Sequence, residues 1–231
     1  MVRMTGAWWV AAALALCATS FAADEQAAQA TGEEVVRLPE PTRDGQVSLE
    51  RALGGRRSVR AYRGGPISLA QAAQVLWAAQ GITSRDGKRT APSAGARYPL
   101  ELHFVAGDVQ DLPPGIYRYR PAGHDLVRVV PGDRREDLAA AARGQAFVRG
   151  CAAAIVIAAV YGRTAARYGA RAERYVHIEA GCAAENALLQ VTALDLGAVT
   201  VGAFDDGAVK RAALLEPEEE PLVIIPIGRL P

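Results

Sequence analysis

The chain has 231 residues, with 26 basic and 25 acidic side chains and a formal net charge of +1. A polyanion binder carries a whole basic face or domain, so this balance excludes nucleic acid and leaves local charge for a single phosphate or carboxylate. The three histidines, His103, His124 and His177, and the cysteines stand at no metal-ligand spacing, so no metal site is expected.

The N-terminus reads as an export signal. Arg3 precedes an apolar run over residues 7–18, Ser20-Phe21-Ala22 gives a small-x-small end, and Asp24-Glu25-Gln26 follows. The run is shorter than the roughly 20 apolar residues that span a bilayer. Residues 1–22 are therefore expected to be cleaved, leaving an exported, periplasmic protein without a membrane span. Residues 23–46, rich in Ala, Gln, Glu and Pro, read as a flexible linker, and residues 47–231 as one domain. Cys151 and Cys182 remain in the mature chain, too few for a disulfide framework. Cys182 reads as a small core residue of an apolar helix.

Along the domain, Ser48 caps a short helix through Leu53 that Gly54-Gly55 ends. Next comes "GGRRSVRAYRGG", with Arg56, Arg57, Arg60 and Arg63 around Ser58. Arg56, Ser58 and Arg60 can wrap one phosphomonoester if the backbone is extended, because guanidinium binds phosphate as a fork. A solvated basic loop accounts for the segment as well. Ser68 and Gln71 form a capping box for a helix that Gly81 stops. In "TAPSAGARYPLE", Pro92, Gly95 and Pro99 exclude a regular helix. The small residues there let backbone amides approach a flat ligand, although a tight turn into a strand needs no ligand. The pattern is not G-x-S-x-G, so Ser93 is not read as a nucleophile.

"PLELHFVAG" alternates with period two, and "GIYRYR" and "DLVRVV" flank a turn as a hairpin. Asp133 and Glu136 repeat the capping box. "AAAIVIAAVY" and "PLVIIPIG" read as buried strands. A long helix is expected over residues 172–196, ended by Gly197 and apolar on most sides, so buried by core and partner together. "GAVTVGAFDDGAV" reads as a strand ending at Gly202 before a helix capped by Asp205 or Asp206. The mixture indicates an α+β fold.

The order of "RRSVRAY", "RTAPSAGARYPLELHFVAG", "GIYRYRPAGHDL" and "GAVTVGAFDD" resembles the nitroreductase superfamily, and within it the SagB/ThcOx-type dehydrogenases, over residues 48–228. The resemblance implies a nitroreductase-like α+β fold, a mixed sheet flanked by helices, in an intertwined homodimer with two FMN sites at its interface. It places Arg56, Arg57, Ser58 and Arg60 on the FMN phosphate and ribityl chain, joined by Arg229. Pro92, Ser93, Ala94 and Gly95 would lie against the ring across the interface, and Val201, Gly202 and Ala203 would offer amides near N5 and O4. Azoline-oxidising members carry Lys-Tyr where this chain has Arg167-Tyr168. Tyr168 can exchange a proton and is the candidate catalytic residue; Arg167 cannot act as a base, since guanidinium stays charged. Arg63 receives no role. The implied activity is two-electron transfer between a donor and a small organic or peptide substrate. Azoline dehydrogenation and a non-catalytic flavin-binding scaffold are the alternatives.

Overall fold

Hydrophobic alternation builds the central sheet of residues 34–231, the part of the chain that the structure, a computed structural model, describes. In chain order the elements are β1 (Val35–Arg37), α1 (Leu49–Gly55), α2 (Leu69–Gln80), β2 (Leu100–Ala106), β3 (Gly115–Arg120), β4 (Asp125–Pro131), α3 (Arg135–Ala141), α4 (Ala146–Arg149), β5 (Ala153–Ala159), α5 (Tyr161–Tyr168), α6 (Ala172–Ala193), β6 (Leu196–Ala198), α7 (Asp206–Ala213) and β7 (Glu220–Arg229). The sheet has seven strands in the order β1-β4-β3-β2-β5-β7-β6. From β4 to β6 the neighbours run antiparallel. An isolated parallel bridge from Ser58 to Ala198 makes it mixed at one edge.

Period-two side chains divide the core between the two faces. On β5, Ala153, Ile155 and Ile157 point with Phe104, Tyr117 and Leu76 into the layer under α2 and α6. Ala154 and Val156 point the other way, with Val105, Ile116, Leu138 and Val209, under α3 and α7. Every residue of β5 is buried, which is why it reads as an unbroken apolar run. Each buried Leu or Ile contributes about 1.5–3 kcal/mol relative to exposure.

Several expectations are corrected. The segment 34–46 is held down: the Leu38 amide donates to the His124 carbonyl, and Gln74 brackets Thr42 by accepting from its amide and donating to its carbonyl. The packed unit starts at Val36 rather than at residue 47. The export signal and residues 23–33 of the expected linker lie outside the described residues. α6 ends at Ala193, because Asp195 takes a left-handed φ of 56° and turns the chain into β6. Gly197 is therefore a strand residue and not a helix stop. Asp133 does not build a capping box, because the charged Arg135 guanidinium engages its carboxylate. α6 buries Val176, Ala180, Ala183, Ala187 and Val191 against the core and leaves Ile178 57% exposed on another side.

Candidate functional site

The arginine-serine segment lies extended along the sheet edge. The Val59 amide donates to the Ala198 carbonyl at 2.9 Å. The side chains of Val59 and Tyr62 press on Gly197 and Gly228, where an added Cβ would stand 2.7 Å from each. The Tyr62 hydroxyl donates to the Pro226 carbonyl at 3.1 Å. Anchoring through Val59 and Tyr62 leaves the side chains of Ser58 and Arg60 exposed and, among the described residues, without hydrogen-bond or ion-pair partners. Arg56 has one loose ion pair, 3.6 Å from Glu185 on α6. Arg57 differs, since its guanidinium is occupied by the Gly54 and Arg56 carbonyls at 3.1 and 2.8 Å.

The same edge carries the turn after β6. Val201 is fixed by reciprocal backbone bonds with Ile224, 2.8 and 3.0 Å long. Gly202 and Ala203 then stand exposed, and neither amide has a partner among the described residues. Asp205 caps α7 directly afterwards. Arg229 closes β7 with its guanidinium beside Gly65, and with Arg63 it lines a polar cavity of about 500 Å³ that also receives Ser68, Gln71 and Asp195. None of Arg56, Ser58 or Arg60 lines that cavity.

The P-S-A-G segment forms a single tight turn in which Gly95, Ala96 and Tyr98 adopt φ values of 60°, 52° and 46°. The Ser93 hydroxyl oxygen accepts from the Tyr98 amide at 2.8 Å. The Ala94 amide donates to Oε1 of Glu179 on α6, also at 2.8 Å. The amides of Ala96 and Arg97 bond back to Ser93 and Ala94. Four amides of the turn, those of Ala94, Ala96, Arg97 and Tyr98, are thus engaged within the protein, and the turn offers a shaped surface instead. Tyr168 borders it: a Cβ on Gly95 would stand 2.6 Å from the Tyr168 hydroxyl and 3.1 Å from the Arg167 guanidinium. Tyr168 is half-buried, edge-on to Tyr175 at 5.1 Å, and its ring lies 5.5 Å from the Arg167 guanidinium.

Glu179, which holds the turn from α6, is the residue that sequence reasoning missed. It is 4% exposed, and burial pushes its carboxyl above the ordinary Glu range against the opposing hydrogen bonds from Ala94 and Ser93. Its only sequence signal is an acid interrupting the small-residue stripe of α6. Glu179 under the turn and Glu185 beside Arg56 lie about 9 Å apart along that helix. α6 therefore supports both halves of the site.

The sequence pattern of the nitroreductase family matches residues 53–229. A candidate nitroreductase of Methanocaldococcus jannaschii is 42% identical over 184 residues, 80% of this chain and 92% of its own. The structure of a candidate nitroreductase from Ralstonia eutropha superimposes with a TM-score of 0.76 at 32% identity, over 87% of this chain and 91% of that one. A candidate nitroreductase from Desulfovibrio desulfuricans, solved in complex with FMN, shares the fold at a TM-score of 0.58 and 24% identity, over 80% of this chain and 87% of its own.

Proposed function

Since the chain belongs to the nitroreductase family of oxidoreductases, we propose that it binds FMN and passes two electrons between a donor and a small organic or peptide substrate, working as an exported homodimer. The observation that carries this reading is the row of unengaged donors on one sheet edge: Ser58, Arg60 and the amides of Gly202 and Ala203. Two kinds of donor are present, as a ligand with a phosphate at one end and a polar ring at the other requires. Guanidinium and hydroxyl groups hold phosphate oxygens. Fixed amide dipoles stabilise negative charge where it develops, at no cost of reorganisation during reaction. FMN supplies the two-electron chemistry when bound. The FMN complex of the Desulfovibrio protein supports the same choice of cofactor.

In this reading Arg56, Ser58 and Arg60 hold the phosphate, and Gly202 and Ala203 face the ring edge. The turn 92–95 covers the flavin of the second protomer. Tyr168, against Gly95, donates or accepts the substrate proton. Arg167 has no lone pair to offer as a base, which favours substrate reduction over azoline dehydrogenation. Leu49, Leu53 and Ile178, between 53% and 60% exposed on α1 and α6, supply apolar area for the dimer.

Replacing Arg60 by Ala removes a charge-assisted hydrogen bond of about 1.5–3 kcal/mol, so FMN affinity should fall roughly tenfold to a hundredfold. Arg57→Ala should cost less, because that guanidinium is tied to its own chain. Equal FMN titrations for Arg60→Ala and the parent protein would refute the phosphate assignment.

A further inference from the structure

We propose that the substrate of this site is a small organic anion whose charged group is held by Arg167. The inference rests on the reading that the Gly95 turn borders the flavin. Arginines crowd this rim: Arg97 follows the turn, Arg163 on α5 donates to the Tyr98 carbonyl at 3.1 Å, and Arg167 on the same helix stands against Gly95, while Arg171 and Arg174 follow in the chain. The acids are fewer. Glu101 pairs with Arg163 at 2.6 Å and also lies 3.4 Å from Arg118, so it is already shared. Arg97 directs its Nε to the Arg163 carbonyl at 3.0 Å. Glu173 is the one acid among residues 161–174, and it forms no ion pair among the described residues. Arg167, Arg171 and Arg174 are exposed and without acidic partners among the described residues.

Arg167 is the one of these that touches the site. Its guanidinium reaches to within 3.1 Å of the position a Gly95 Cβ would occupy and lies 5.5 Å from the Tyr168 ring. A guanidinium beside an aromatic face keeps N–H groups free for a planar bidentate partner. Placed against the Tyr168 hydroxyl, the charge holds the anionic end of a substrate while the hydroxyl faces the reacting end. A neutral substrate leaves this unpaired charge with nothing to bind.

The test uses benzoate and its neutral isostere benzamide as unreactive probes, titrated calorimetrically into FMN-saturated protein, with the flavin absorbance recorded alongside. The parent protein should bind benzoate at least about tenfold more tightly than benzamide, with the preference shrinking as salt is raised. Arg167→Gln should abolish the preference and Arg167→Lys should keep part of it. Benzoate binding no tighter than benzamide, or a preference unchanged in Arg167→Gln, overturns the proposal. The flavin bands separate this from failure of the cofactor reading. A protein that takes up no FMN refutes that reading and overturns this proposal with it, whereas in FMN-loaded protein the benzoate preference alone decides the anion assignment.

Discussion

Glu179 carries an unusual share of the site for one buried side chain. It accepts from the Ala94 amide and the Ser93 hydroxyl while almost wholly removed from water. Glu179→Ala leaves that amide without an acceptor and should cost about 1–3 kcal/mol, whereas the Gln Oε1 can still accept from it. Burial raises the carboxyl pKa above its unfolded value. Its contribution to stability is therefore full below the ordinary Glu range and is lost as pH rises through the raised value. Glu179→Gln does not titrate, so it should match or exceed the parent in denaturant midpoint at neutral pH, with Glu179→Ala below both. Equal midpoints for the Ala and Gln variants would contradict the tether. This residue was illegible in sequence because its partner is 85 positions away. Gly95 was legible in part: its need for small size is local, but the Tyr168 hydroxyl that enforces it comes from α5.

Among the elements, most local signals were read correctly, the exception being the Asp133–Glu136 box, where the Arg135 guanidinium takes the Asp133 carboxylate. The Ser68–Gln71 box caps α2, and β3 and β4 form the expected hairpin. Asp205 does cap α7. What else failed has no signature in a residue pattern. The end of α6 is set by a non-glycine residue in a left-handed turn, while Gly197 serves the docking of Val59 onto β6. The latch of β7 was also unforeseen. Glu219, fully buried just before that strand, meets the Nε2 of His103 at 2.8 Å and accepts from Arg118 at 2.7 Å. Burial pushes its carboxyl up, but His103, the Glu216 amide and Arg118 outweigh this and hold it below the ordinary Glu range. Its stabilisation is present above the unfolded value and is lost as pH falls through the lowered one. Breaking a buried ion pair typically costs about 3–5 kcal/mol. Glu219→Gln should therefore lose several kcal/mol at neutral pH and much less at a pH below the lowered carboxyl value. A deficit equally large at both pH values, read from denaturant midpoints, would contradict an electrostatic latch.

At the scale of the molecule, the two halves of the site lie on one sheet edge and on the turn over α6, joined through a single helix that keeps Ile178 exposed. The pairing of protomers proposed above covers this face. Sedimentation equilibrium should return twice the mass of the purified chain, and a monomer at micromolar concentration would contradict the assembly. Family and fold class were readable because the arginine-serine segment, the P-S-A-G turn and the strand order occur together in this sequence; substrate was not, since it depends on which charges the fold leaves unpaired. The most direct test of the account is the visible absorption spectrum of the purified protein, before and after denaturation. Flavin bands that accompany the folded protein and pass into the filtrate as free FMN on unfolding are the predicted result. A colourless protein that develops no bound-flavin spectrum when titrated with FMN would contradict it.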